Sequence, residues 1–309
     1  MAFVTKSTIV EPSQVGRVDR VVQTLAACSR SQLRGLFDHR CVHVNEQVCI
    51  DPGQQAKIGD RVALRFDPNQ RYPEKKKAWQ EPAFSIAFED RHLIVVDKSA
   101  RVLSVPTDRG ETNTLIDRVS NYLRHNSGVR EAFAVHRLDR GVSGLLVFSK
   151  TRETATRLQS LFREHKPARR YIAVVHGKLK SPTGTFQSHL ATGDNLDRYS
   201  TANADEGELA VTHYRVLEQL SDVAVVEVRL ETGRRNQIRV HFAEAGNPVL
   251  GDPRYGRSST PQKAWTARRL ALHAVGLEFE HPHSGQLLSF ESPLPPEMQK
   301  FMGNRETRL

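Results

Sequence analysis

The sequence predicts an α+β protein: a large domain of mixed strands with flanking helices, preceded by a small α+β unit. Three observations carry this. From Ala83 onward, strand-length apolar runs alternate with stretches of helical periodicity. The stretch 67–82 (DPNQRYPEKKKAWQEP) is rich in proline and charge and has no period, as a linker does. Ahead of it, 15–66 carries its own compact pattern. The expected organisation is therefore a unit at 15–66, a linker at 67–82 and a main domain at 83–303.

Within the first unit, Val18, Val21, Val22 and Leu25 have helical spacing. Ser29 or Ser31 is placed to cap a second helix carrying Leu33, Leu36 and Phe37. Val42 and Val44, then Asn45-Glu46-Gln47, then Val48 and Ile50 read as strand, turn and strand. Pro52-Gly53 and Ile58-Gly59-Asp60 punctuate before a last strand, Arg61 to Phe66. In the main domain, the runs from Phe84 to Phe88, Leu93 to Asp97, Leu145 to Phe148, Ile172 to Val175, Val211 to Leu217 and Val223 to Leu230 read as strands. Leu115 to Leu123, Thr154 to Phe162 and Gln237 to Ala245 read as helices.

Composition narrows the partners. The 45 basic against 35 acidic residues give a net charge of +10, which favours a polyanionic partner without separating RNA from DNA or from an anionic membrane. The run Lys75-Lys76-Lys77 is placed to touch RNA, although a charge run is more often only solvated. The longest apolar runs, such as Leu93-Ile94-Val95-Val96, are far too short to cross a bilayer, so no membrane partner is expected. Cys28, Cys41 and Cys49 are an odd number without metal-ligand spacing, pointing to a reducing compartment and buried packing. With no secretory signal evident, a cytoplasmic protein is expected.

The chemistry concentrates in His136-Arg137-Leu138-Asp139-Arg140-Gly141-Val142-Ser143-Gly144-Leu145-Leu146-Val147-Phe148. A carboxylate, Asp139, stands between Arg137 and Arg140, and nearby cations favour its ionised form. Two glycines permit a tight turn and close approach of a ligand. The apolar strand that follows anchors the loop, so Asp139 is presented rigidly as a nucleophile or base. Taken alone, Asp139 would more often be a turn cap or a surface partner of Arg137.

HRLDRGVSGLLVFSK resembles the catalytic motif of the RluA-type RNA pseudouridine synthases, approximately HRLDxxTSGLLLxAK. Leu230-Glu231-Thr232-Gly233-Arg234-Arg235-Asn236-Gln237-Ile238-Arg239-Val240-His241 resembles that family's TGRxHQIRVH element, and Gly246 to Gly256 its GxPxxGDxxYG continuation. Arg169-Arg170-Tyr171 matches its (K/R)xY element. Several matches in order form a far stronger signal than any one. In the first unit, Asp19-Arg20, Ser29-Arg30-Ser31-Gln32-Leu33, Val42-His43-Val44-Asn45 and Gly59-Asp60 resemble the alpha-L RNA-binding domain shared by a ribosomal small-subunit protein and tyrosyl-tRNA synthetases.

The resemblance implies a mostly antiparallel continuous sheet with the cleft across its middle, and base isomerisation on a flipped-out uridine without cofactor or metal. It implies Asp139 as the essential group, Arg239 as its ion-pair partner and Tyr171 as a stacking surface. Arg137 would fill the gap left by the base, Arg234 would support a phosphate or the loop, and Arg140, Arg169 and Lys98 are further candidates for substrate contact. Arg17, Arg20, Arg30 and Arg34 would meet RNA phosphates. The expected partner is RNA, large-subunit ribosomal RNA before tRNA, and the expected state a monomer.

Three positions depart from the family pattern: Val142 for Thr, Asn236 for His, and Ser99 for Pro of an early NKP element. Two other readings stay open here. One is a non-catalytic RNA-binding ribosome-assembly factor. The other is a metal hydrolase using His136, Asp139, His241 and His273, against which the spacing argues.

Overall fold

The computed structural model describes residues 4–26, 28–72, 81–164, 166–256 and 265–303, apart from the side chains of Arg30 and Ser31. Lys75-Lys76-Lys77 lies outside the described residues, as does the side chain of Arg30. The chain folds as two compact units, Met1–Trp79 and Gln80–Leu309.

In the first unit, helix Val18–Ala26 buries Val18, Val21 and Val22 against Val42, Val62 and Leu64. Ser29, not Ser31, caps helix Arg30–Asp38. Its hydroxyl accepts from the Gln32 N–H, and the Gln32 side chain accepts from the Ser29 N–H, which satisfies two otherwise orphaned donors. Strands Val42–Val44 and Gln47–Val48 are joined by Asn45 and Glu46, at φ 49° and 65°, a two-residue turn whose twist suits a hairpin.

This unit is longer than 15–66. Strand Val4–Ile9 pairs along the whole of Arg61–Phe66. Its side chains are almost all exposed, so no buried alternation betrayed it in the sequence. At the other end Tyr72 packs on Phe66 and His39, and its hydroxyl accepts from the Asp67 N–H at 2.7 Å. The start of the expected linker thus belongs to the first unit. Its end belongs to the second, where Glu81 pairs with Arg118 and the Pro82 carbonyl accepts from the Ser99 hydroxyl.

The second unit is built on an eleven-stranded sheet. Its path runs through Arg198–Thr201, Thr183–Thr192, Glu208–Gln219, Val223–Leu230, Ala168–His176, Leu272–Glu280, Ser143–Ser149, Leu93–Lys98 and Phe84–Glu89. Leu287–Glu291 pairs with Leu272–Glu280, and Phe133–Ala134 with Ser143–Ser149. Helices Leu115–Asn126 and Gln237–Glu244 share one core with Ile94, Val96, Leu146 and Phe148. Helix Arg152–Arg163 packs on Leu93, Val95, Leu145 and Val147. Successive strand residues alternate between the two cores, so helices cover both faces.

Pairing among the described strands is antiparallel except where Ser143 and Gly144 run parallel to His273 and Ala274. The expected mixed, mostly antiparallel α+β architecture is the observed one. The crossing requires glycine: Gly144 sits at φ 114°, and a Cβ there would lie 2.2 Å from the Ala274 carbonyl oxygen. Gly144→Ala should therefore cost about 2–3 kcal/mol of stability. Urea unfolding is the check, and an unchanged midpoint would mean the two strands part at no cost.

Candidate active site

The segment between Phe133–Ala134 and Ser143–Ser149 is pinned at several points. Leu138 is buried in the core, its N–H donates to the Ser104 hydroxyl at 3.1 Å, and that hydroxyl donates to the Leu138 carbonyl at 2.7 Å. The Arg140 carbonyl accepts from the Arg101 N–H at 2.6 Å, and the Val142 N–H closes a turn onto the Asp139 carbonyl at 3.0 Å. Gly141 allows Leu270 to approach, since a Cβ would meet its Cγ at 2.9 Å. Asp139 thus projects from a turn with little freedom.

Its partner comes from helix Gln237–Glu244. Arg239 Nη1 donates to Asp139 Oδ2 at 2.9 Å and to Asn236 Oδ1 at 2.8 Å. Its other face is held by Asp252, which accepts from Nε at 2.7 Å and from Nη2 at 2.9 Å. Such a bidentate pair fixes the plane of a guanidinium. The Asp252 side chain is wholly buried, while Asp139 keeps 19% of its side-chain exposure. The Arg239 guanidinium also lies 5.1 Å from the centre of the Tyr255 ring. Burial opposes its charge, but the hydrogen bonds it donates to Asp252 and the charges of Asp139 and Asp252 prevail and raise its pKa. Arg239 is a permanent cation whose position Asp252 sets.

Asn236, where the resembling family has His, sits at φ 58° at the start of that helix. Its amide accepts from Arg239 and donates to the Tyr255 hydroxyl at 3.2 Å, so it joins two members of the cage. The next residue, Gln237, ties the helix to the sheet through the Val211 carbonyl and the Thr212 and Thr232 hydroxyls.

Asp139, Arg137, Arg169, Tyr171, Arg234 and Arg239 line one cleft of about 540 Å³. Tyr171 enters it from strand Ala168–His176, next to an irregularity in that strand's pairing with Leu272–Glu280. Its ring is 94% buried, and burial pushes its hydroxyl pKa up. Arg169 lies over Phe162 and donates to the Glu231 carbonyl at 3.0 Å, and Gly233 is kept small by it, since a Cβ would fall 2.3 Å from its Nη1. Arg234 is shared with Glu208 at 2.9 Å. Arg163 and Gln159 add to the wall from helix Arg152–Arg163. Five arginines face the cleft, and Asp139 is the one acid among its lining residues. The result is an anion-attracting cavity around a single carboxylate.

Two expected substrate contacts lie elsewhere. Arg140 does not line the cleft; its Nε donates to the Arg101 carbonyl at 3.1 Å. Lys98 is buried at the end of its strand, where its ammonium donates to the carbonyls of Val142 at 2.6 Å and Ser99 at 3.0 Å, and it lines a second cavity. In the first unit Arg17 is paired with Asp19 at 2.7 Å, while Arg20 and Arg34 are exposed. Sequence reasoning missed Asp252 and Tyr255 as parts of the site. The available signal was chemical: a buried arginine needs a second acid once Asp139 has taken one nitrogen.

The three histidines of the metal reading are separated. His136 stacks on Phe162, and its Nε2 accepts from the Val147 N–H. His241 bonds Ser188 and Thr212, and His273 bonds Ser143. Burial chiefly lowers all three, to about 3, about 4 and about 4 respectively. The unfolded chain, with values near 6.5, then binds more protons than the folded one between those limits. Stability should be full above pH 6.5 and fall as the pH drops toward 4, by up to about 1.4 kcal/mol per pH unit for each such group. Urea midpoints across that range are the check, and the fall should lessen in His241→Gln.

Comparison with known proteins gives consistent matches. Residues 92–244 match the RNA pseudouridylate synthase family, and residues 16–62 match the S4 domain. Ribosomal large subunit pseudouridine synthase D of Nitrosomonas europaea is 37% identical, over 93% of this chain and 83% of its own. The protein of the same name from Zymomonas mobilis is 35% identical over 94% of each chain. An uncharacterized RNA pseudouridine synthase of Bacillus subtilis is 33% identical over 96% of each. The solved structure of human RNA pseudouridylate synthase domain containing 4 shares the fold, with a TM-score of 0.60 at 23% identity over 70% of this chain and 91% of that one.

Proposed function

The chain belongs to the RNA pseudouridylate synthase family, and from that premise we propose that it isomerises uridines of large-subunit ribosomal RNA, with Asp139 as the reacting carboxylate. The observation that carries the assignment is the cleft: one carboxylate, held at 2.9 Å by a clamped arginine and surrounded by cations that suit a polyanionic substrate. The ribosomal target follows the names of the relatives from Nitrosomonas europaea and Zymomonas mobilis.

Pseudouridine formation breaks the N-glycosidic bond, turns the uracil and joins its carbon 5 to the ribose. Asp139 acts on the base or on the anomeric carbon, and Arg239 keeps its carboxylate oriented through both half-reactions. Tyr171 offers an aromatic face to the flipped uracil. Such stacking is worth about 1–3 kcal/mol, comparable to the few kcal/mol that base extrusion requires. Arg137, exposed at the cleft and without an ion pair among the described residues, takes the place of the extruded base. The S4 domain adds affinity through phosphates. Arg20, Arg30 and Arg34 carry that part, and Arg17 joins only by sharing its guanidinium between Asp19 and a phosphate.

Mapping pseudouridine by carbodiimide modification and primer extension in ribosomal RNA tests the target. RNA from cells lacking the protein should miss specific sites that the wild type restores and Asp139→Asn does not. If only tRNA sites disappear, the ribosomal target is wrong. Removing residues 1–72 should weaken RNA binding and flatten its salt dependence, by roughly 0.7–0.9 in the log–log slope per lost phosphate contact. An unchanged slope would mean that the S4 domain does not touch the substrate.

A further inference from the structure

A second cavity, of about 610 Å³, opens where strands Ser143–Ser149 and Leu272–Glu280 run parallel. Val142 and Leu272 line the cleft, whereas their neighbours Ser143 and His273 line this cavity. Consecutive residues of a strand point to opposite faces, so the cavity lies behind the loop that carries Asp139.

Its floor is formed by Lys98, Arg269 and His273, which are 1%, 8% and 1% exposed. Buried cations are normally paired. Among the described residues neither Lys98 nor Arg269 has a carboxylate within the 4.0 Å of an ion pair. Three acids also line the cavity but are otherwise engaged: Asp97 accepts from the Ser292 hydroxyl, Glu81 pairs with Arg118, and Asp97 and Glu297 act on Arg269 only beyond ion-pair distance.

The floor also presents unused donors. Lys98 spends two of its protons on carbonyls. Arg269 uses Nε and Nη2 on the Leu270 and Leu272 carbonyls and the Ser143 hydroxyl, leaving Nη1. Arg269 can only donate to Ser143, so that hydroxyl keeps its own proton for His273 Nδ1 at 2.7 Å, and in that tautomer the ring proton sits on Nε2. Nε2 is buried without a hydrogen-bond partner; the Ser292 and Pro293 carbonyls are near but outside bonding geometry. Arg101 adds a third cation among the lining residues, on an exposed position.

We propose that this cavity is a phosphate-binding site, in which Lys98, Arg269 Nη1 and the His273 Nε2–H converge on one tetrahedral oxyanion, with Arg101 closing over it. Unfilled donors of one sign, fixed by their other hydrogen bonds, suit a small polyoxyanion better than an extended or neutral ligand. In keeping with this, burial first and the charge of Arg269 second lower the Lys98 ammonium to about 7, against the opposing pull of Asp139. A bound anion relieves that repulsion. The phosphate comes either from solution or from the RNA backbone, and one experiment separates the sources.

The full chain is labelled with ε-¹³C-lysine, and the Lys98 resonance is identified by its absence in Lys98→Met. It is then titrated with pH in chloride and in inorganic phosphate at equal ionic strength. The expected result is a higher Lys98 pKa in phosphate, saturable in phosphate concentration. Arg101→Gln, at an exposed position that leaves the buried floor intact, should raise the half-saturating concentration about tenfold, the effect of one lost charge-assisted hydrogen bond. A uridine-free oligoribonucleotide forms the second arm. A response to it without a response to free phosphate assigns the site to the RNA backbone. Identical titrations in chloride, phosphate and RNA would overturn the proposal, as would an Arg101→Gln half-saturation equal to wild type. Should Lys98→Met not fold, the phosphate-specific rise in Tm of wild type over Arg101→Gln gives the same decision.

Discussion

Asp139→Asn is expected to abolish turnover, by at least roughly 10³-fold, while RNA affinity stays nearly unchanged. The substitution keeps volume and one acceptor oxygen. Arg239 retains both bonds to Asp252 and its bond to Asn236, so the cation that faces the substrate does not move. The loop is held by Ser104 and Arg101 rather than by the carboxylate. Only the charge of the carboxylate is lost. Fluorescence anisotropy with a ribosomal RNA fragment should therefore match wild type within a few tenths of a kcal/mol, whereas single-turnover rates should collapse. Turnover near wild type would remove Asp139 from the chemistry.

The second large effect is expected at Asp252→Ala. This carboxylate is fully buried and takes two nitrogens of Arg239, and it also accepts from the N–H groups of Arg254 at 2.9 Å and Tyr255 at 3.1 Å. Removing it leaves a buried guanidinium half uncompensated, which costs about 3–5 kcal/mol. Turnover should fall as well, because Arg239 loses the two bonds that fix its plane and is held through Nη1 alone, by Asp139 and Asn236. Asp252→Asn preserves one acceptor and should fall between the two. Urea unfolding measures the first effect and single-turnover kinetics the second. A loss of stability below about 1 kcal/mol would mean that water reaches Arg239 and replaces the carboxylate.

The parts of this fold that were legible in sequence are those with local causes. The start of the second helix was narrowed to Ser29 or Ser31 by its local signal, and the capping box of Ser29 with Gln32 decides between them. Leu93 to Asp97 and Leu145 to Phe148 read as strands, inside the observed Leu93–Lys98 and Ser143–Ser149, because central strands are apolar on both faces. Asp139 and Arg239 were found from their motifs, although a hundred residues separate them, and the structure puts them 2.9 Å apart. What failed has non-local causes. Thr183–Thr192 has a polar, largely exposed pattern and is a strand only because Glu208–Gln219 and Arg198–Thr201 pair with it. Lys98 was a further candidate for substrate contact, and the structure places its ammonium on the Val142 carbonyl and among the residues of the second cavity. Ser99 stands where the family pattern has Pro, and its N–H is used by the Ala83 carbonyl at 2.8 Å, a bond proline could not make.

The most direct test of the central claim is tritium release from carbon-5-tritiated, unmodified RNA. Wild type and Asp139→Asn are each given large-subunit ribosomal RNA and tRNA transcripts. The account predicts release from the ribosomal transcript with wild type alone, and none from tRNA. Release by Asp139→Asn at the wild-type rate, or no release from the ribosomal transcript despite tight binding, would contradict it.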